Sequence, residues 1–154
     1  MHAEESEAVR PDVDEDALEP LLTAFYDAMG ADAMLAPYFA PLDMAAHIPR
    51  IADFWSTLLF QSGRYQGNAF RPHATMPGLT AAHFTRWLRT LDAVVDGGWA
   101  GPVAERMKAL GHRVAYSMQL RLHLTPEAAY PAEPDVAPIR VLAGAAPGAN
   151  GRPA

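Results

Sequence analysis

The sequence predicts an all-α domain, and three observations lead to that class. Four segments repeat apolar residues with the spacing of amphipathic helices, whereas no segment alternates convincingly as a half-buried strand does. Capping residues, glycines and prolines stand at or near the ends of these segments. The chain has 154 residues, of which 50% are hydrophobic, so it is long enough for one domain with a substantial core.

The first two predicted helices are bounded by clear end signals. Apolar positions follow the helical repeat over residues 18–29, with Asp16 as a plausible N-cap and Gly30 where a C-terminal glycine belongs. The second helix covers about residues 43–60. Because Pro49 is compatible only with the first turns of a helix, this helix is expected to begin between residues 43 and 46.

The other two predicted helices and a short connector complete the domain. Thr80 is a good N-cap for the third helix, which Gly97 and Gly98 end, and the fourth helix begins at Pro102 and ends before Pro126. Between the second and third helices, Asn68 can cap one or two helical turns. Such a short segment is not stable alone, so a bound group would help to order it.

Composition divides the chain and excludes several classes of protein. Residues 1–16 are expected to be a disordered acidic arm, residues 17–124 the folded domain, and residues 125–154 a disordered tail rich in Pro, Ala and Gly. The net charge of −6 argues against a nucleic-acid partner. The absence of cysteine excludes disulfides, iron–sulfur clusters and covalently attached haem. We expect a cytoplasmic protein with no secretory signal and no membrane-spanning segment.

Two histidines are the first candidates for chemistry. His47 lies on the apolar stripe of the second helix, where a core histidine bonded to a carbonyl is the alternative explanation. His73 lies in the connector, where no apolar stripe explains it and an exposed loop histidine is the alternative. An apolar slot with an imidazole on each side suits a flat iron macrocycle. The remaining histidines are expected at the surface: His2, His83, His112 and His123.

Polar groups on the same helices extend this candidate site. Tyr26 and Trp87 lie on apolar stripes, and a buried phenol or indole needs a hydrogen-bond partner, although core packing also accounts for each of them. Converging on one pocket, they suit a bound, partly negative diatomic ligand. Arg50 interrupts an apolar stripe and either extends into solvent or pairs with a carboxylate such as a haem propionate. Arg64 and Tyr65 are weaker candidates for that pairing.

Several motifs, taken in order, resemble those of group III truncated haemoglobins over about residues 17–123. The motifs are Ala24-Phe25-Tyr26, Pro37-Tyr38-Phe39, His47, Ile51-Ala52-Asp53-Phe54-Trp55-Ser56, Gly63-Arg64-Tyr65-Gln66-Gly67-Asn68, Pro72-His73, His83-Phe84 and Arg86-Trp87-Leu88. The resemblance implies a truncated globin, a two-over-two helical sandwich around a pocket for haem b.

The resemblance also implies roles for individual residues. His73 would be the proximal ligand, bonded to iron through Nε2. Tyr26, Trp87 and His47 would be the distal residues. The remaining positions implied in the haem pocket are Phe25, Phe39, Arg50, Ile51, Phe54, Trp55, Arg64, Tyr65 and Met76, with Phe39 and Phe54 flanking the porphyrin, Ile51 near the sixth coordination site and Arg50 near a propionate.

The sequence leaves three functions open. The leading one is reversible binding of dioxygen or another diatomic ligand at pentacoordinate iron, which is not an enzymatic activity. The second is nitric oxide dioxygenation or peroxide chemistry, and this requires a separate reductase because the sequence shows no flavin or ferredoxin module. The third is electron transfer with His47 or Met76 as the second axial ligand opposite His73. A helical domain without haem is the remaining alternative.

Overall fold

The computed structural model describes residues 9–127, and six α-helices form its framework. They are α1 (Leu18–Gly30), α2 (Ala36–Phe39), α3 (Met44–Phe60), α4 (Phe70–Ala74), α5 (Ala81–Gly98) and α6 (Pro102–Arg121). The described part of the chain contains no β-strand, so the all-α prediction is confirmed. None of its helices combines the length and apolar composition needed to cross a bilayer.

The four long helices form two layers of two. Helix α1 packs against α3, α5 packs against α6, and contacts between α1 and α5 and between α3 and α6 join the layers. Each helix contributes one apolar face to a common core, in which Phe25, Trp55, Leu88 and Met107 are almost completely buried. Burial of these faces is the main stabilising contribution, because isolated helices of this length are marginal in water.

Helix ends agree with the sequence except at the start of α1. A 3₁₀ turn, Glu15–Ala17, precedes this helix, and the Asp14 carboxylate accepts a hydrogen bond from the Ala17 N–H at 3.0 Å. Asp14 therefore caps the 3₁₀ turn, while α1 follows Ala17 without a side-chain cap, and the predicted N-cap Asp16 lies inside the turn. At α3 the Asp43 carboxylate caps the Ala45 N–H at 3.2 Å, as its predicted start requires.

The folded part of the chain begins earlier than the predicted arm of residues 1–16 allows. Val13 is buried in the core, and the Asp12 carboxylate accepts hydrogen bonds from the N–H groups of Val103 (3.0 Å) and Ala104 (2.8 Å) at the start of α6. Gly101 permits this approach, because a Cβ there would lie 2.5 Å from Asp12 Cγ. Residues 1–8 of the arm and 128–154 of the tail lie outside the described residues.

The connector after α3 forms the short helix α4, which carries His73. The Asn68 side chain accepts hydrogen bonds from the N–H groups of Phe70 (3.0 Å) and Arg71 (3.3 Å), as its predicted capping role requires. The Arg121 guanidinium lies 4.1 Å above the centre of the Phe70 ring and so links α4 to the end of α6. The cap and the contact with Arg121 stabilise this helix, which has five residues and would not be stable on its own.

Candidate haem pocket

A large cavity opens between the helices and contains almost all of the predicted site residues. It has about 1250 Å³ of space free of protein atoms, its open mouth included. Aromatic and aliphatic side chains make up most of its lining, with a few polar groups among them. The predicted site residues that line it are Phe25, Tyr26, Phe39, His47, Arg50, Ile51, Phe54, Trp55, Tyr65, His73, Met76 and Trp87.

His73 reaches the cavity from α4 with one ring nitrogen already bonded. Its Nδ1 lies 2.9 Å from the carbonyl oxygen of Ala69, one helical turn earlier, so Nδ1–H is the donor to this carbonyl. Burial lowers the pKa of His73, although the Ala69 bond opposes this shift, so the imidazole is neutral at pH 7. The lone pair of Nε2 is therefore the one left for a ligand.

Tyr26 and His47 form a polar pair on another part of the lining. The Tyr26 hydroxyl lies 3.3 Å from His47 Nε2, and the Phe39 ring packs edge-on against Tyr26 at 5.3 Å. Burial raises the pKa of Tyr26 well above its ordinary value, so the phenol keeps its proton. Burial, together with the positive charge of Arg50, lowers the pKa of His47.

The direction of this hydrogen bond depends on the His47 tautomer. With the proton on Nδ1, the Tyr26 O–H donates to Nε2. With the proton on Nε2, the imidazole donates to the phenol oxygen, and the Tyr26 O–H is free to donate to a third group in the cavity. His47 is therefore placed to control whether the Tyr26 hydroxyl is available.

Trp87 adds a second donor from α5. Its ring packs edge-on against Phe25, with the ring centres 5.4 Å apart. No hydrogen bond joins its indole N–H to another residue in the range 9–127. Since an indole N–H on a mostly apolar surface favours an acceptor, Trp87 is suited to donate to a ligand in the cavity.

A positive charge stands where the cavity meets solvent. Arg50 is exposed, forms no ion pair with a carboxylate of the described chain, and is close enough to influence the pKa of both His47 and Tyr65. Tyr65 is held beside it, because its N–H donates to Thr57 Oγ1 at 3.0 Å and its ring packs against Phe54. This edge of the cavity suits the carboxylates of an otherwise apolar ligand.

Arg64 does not line the cavity, so the structure gives no support to its predicted role near a propionate. Its guanidinium pairs with the carboxylates of Glu15 and Asp53 and donates to the Ser56 hydroxyl at 2.9 Å. These two carboxylates and the hydroxyl hold the guanidinium away from the cavity lining. Arg64 therefore connects the connector loop to α3 and to the 3₁₀ turn.

Several lining residues were not among the predicted site residues. Phe84, Val114, Ala115 and Met118 lie on the apolar faces of α5 and α6, so the helical repeat could have placed them near the pocket. His83 was expected at the surface, yet it is half-buried and lines the cavity. The other lining residues that were not predicted as site residues are Leu35, Tyr38, Leu42, Ala69, Pro72 and Leu79.

The set of ligating side chains limits what the cavity can bind. Within residues 9–127 no three His, Asp or Glu side chains are grouped as a bare metal ion would require. A macrocycle supplies four nitrogen ligands of its own and needs only one axial imidazole from the protein. The donor set, the apolar lining and the exposed Arg50 therefore fit haem better than a free metal ion.

A comparison with solved structures identifies the architecture of this fold. No protein-family model matches the chain. A crystal structure of group III truncated hemoglobin from Campylobacter jejuni matches with a TM-score of 0.68 at 20% identity, covering 75% of this chain and 95% of that one. The architecture is thus that of a truncated globin.

The sequence comparison leads to the same group. The protein called Group 3 truncated hemoglobin ctb, from Campylobacter jejuni subsp. jejuni, is 23% identical over 86 residues, which cover 52% of this chain and 68% of that protein. The resemblance to group III truncated haemoglobins that the motifs predicted is therefore confirmed.

Proposed function

We propose that the protein binds haem b non-covalently in this cavity, with His73 as the axial ligand, and that it binds dioxygen or another diatomic molecule reversibly. The observation that carries this proposal is the state of His73: its Nδ1 is bonded to Ala69, so Nε2 remains as the ligand atom in an apolar cavity. The similarity to proteins named truncated haemoglobins supports the same cofactor.

The protein would hold the cofactor by burial and by charge. Aromatic and aliphatic side chains would exclude water from the two faces of the macrocycle. Arg50, which lacks a carboxylate partner within the described chain, would pair with a propionate at the open edge. The absence of cysteine in the full sequence supports non-covalent attachment.

The polar residues of the cavity other than His73 would select the ligand. When bound, haem supplies an iron centre with a free coordination position for a diatomic molecule. Tyr26 and Trp87 would donate hydrogen bonds to a partly negative ligand there, and the low dielectric of the cavity strengthens such bonds. His47 would regulate Tyr26 through its tautomer, since only the Nε2–H form leaves the Tyr26 O–H free.

Spectra of the reconstituted protein test this proposal. We expect haem to bind with one-to-one stoichiometry, and the ferrous form to be five-coordinate and to bind carbon monoxide. Low-spin six-coordinate bands in the ferrous form would instead indicate a second protein ligand such as Met76 or His47, and would contradict reversible binding at a free position. Turnover of nitric oxide or peroxide with an added reductase would move the assignment from binding to catalysis.

A further inference from the structure

Tyr38 connects two parts of the cavity rim, helix α2 and the segment between α4 and α5. It lies on α2, and its hydroxyl donates a hydrogen bond of 2.6 Å to the carbonyl oxygen of Pro77. Pro77 follows His73 by four positions and belongs to the segment that connects α4 to α5. The bond spans 39 positions of sequence, so it fixes the position of this segment relative to α2.

Further contacts hold the same segment against Tyr38. The Tyr38 ring packs edge-on against His83, with ring centres 5.4 Å apart and an interplanar angle of 88°. His83 Nδ1 in turn accepts a hydrogen bond from the Thr80 N–H at 3.1 Å. Gly78, with φ of +75°, forms the next turn of this segment, and a Cβ at this position would be in van der Waals contact with the Tyr38 hydroxyl oxygen, at 3.6 Å.

The connection forms a thin wall. Tyr38, Met76 and His83 line both the large cavity and a separate surface depression outside it. One layer of side chains thus separates the cavity from solvent at this place. Helix α2 is packed against α1, whereas the segment after α4 has no regular structure apart from turns, so contacts with α2 help to fix the position of that segment.

We infer that Tyr38 is a positioning residue, which through its hydrogen bond to Pro77 holds the segment 75–80, and with it His73, in place at the cavity. The backbone transmits this constraint, since the Met76 N–H donates to the His73 carbonyl at 3.2 Å. The inference rests on the proposed axial role of His73. Tyr38 would act through the position of His73 and would bind neither the iron nor the diatomic ligand itself.

The variant Tyr38→Phe tests the inference in the haem-loaded protein. It removes only the hydroxyl and keeps the ring against His83, while Tyr116→Phe, at an exposed position outside the cavity, is the matched control. We expect Tyr38→Phe to remain five-coordinate, to shift or broaden the iron–histidine stretching band in resonance Raman spectra, and to lose haem to an acceptor globin about three- to tenfold faster. Tyr116→Phe should change neither quantity.

An unchanged stretching band and an unchanged rate of haem loss in Tyr38→Phe would overturn the inference. A second measurement keeps it testable if the wild-type protein binds no haem, which would refute the proposed function alone. In the ligand-free protein, amide hydrogen exchange over residues 75–80 should be faster in Tyr38→Phe than in wild type or Tyr116→Phe. Equal exchange in all three proteins would show that the bond does not hold this segment.

Discussion

Replacement of Tyr26 by Phe separates the role of its hydroxyl in binding from its role in folding. The variant removes one oxygen and keeps the ring between Phe25 and Phe39. In the ligand-free protein the lost contact is a 3.3 Å bond to His47, which is at the long end of the hydrogen-bond range. The free energy of unfolding should therefore change by no more than about 1 kcal/mol.

The ligand-bound protein should respond much more strongly. A donor to a partly negative ligand in a low-dielectric site contributes about 1–3 kcal/mol, so its removal should increase the dissociation rate about 5- to 150-fold. Stopped-flow displacement of dioxygen by carbon monoxide measures this rate, and urea denaturation measures stability. A dioxygen dissociation rate within twofold of wild type, with haem bound normally, would refute the donor role of Tyr26. Tyr116→Phe is the control, because its hydroxyl lies outside the cavity.

Three further predictions concern charge and protonation. Arg50→Met should lose haem about two- to fivefold faster, and added salt should produce part of this effect in wild type, because an ion pair made by the exposed Arg50 is screened. Arg64→Met should lower the denaturant midpoint and leave the rate of haem loss unchanged, since the partners of Arg64 are Glu15 and Asp53. Faster haem loss in this variant would instead indicate that Arg64 contacts the haem. Stability of the ligand-free protein should decrease as pH falls below about 6.5, because burial lowers the pKa of His47 and His73 and the unfolded chain takes up protons first. Urea titrations at several pH values measure this, and replacing either histidine by Phe should flatten the dependence.

The sequence predicted the main helices well because their signals are local. Helices α3 and α5 begin after the capping residues Asp43 and Thr80. Helix α6 begins at Pro102, since a proline in the first turn lacks an N–H that would have no partner there. The apolar repeats then predicted which helix faces meet in the core. The same repeats placed Tyr26 and Trp87 on buried helix faces, and only the fold shows that they line the same cavity as His73.

The features that the sequence did not predict depend on contacts between distant positions. Helix α2 is too short to show a repeat and is held by its neighbours, including the bond from Tyr38 to Pro77. Arg64 was predicted near a haem propionate, and its ion pair with Glu15 could not be foreseen because the two residues are 49 positions apart in sequence. Val13 and Asp12 looked like part of a polar arm, because the N–H groups that Asp12 caps belong to α6.

The proposed bond between the His73 imidazole and the haem iron can be tested with a variant that removes the ring. His73→Gly removes the ring and leaves a space that free imidazole can enter. We expect this variant to bind haem weakly with an altered ferrous spectrum, and added imidazole to restore the five-coordinate spectrum and an iron–imidazole stretching band. If His73→Gly shows the wild-type spectrum without imidazole, another residue is the ligand and His73 does not bind the iron.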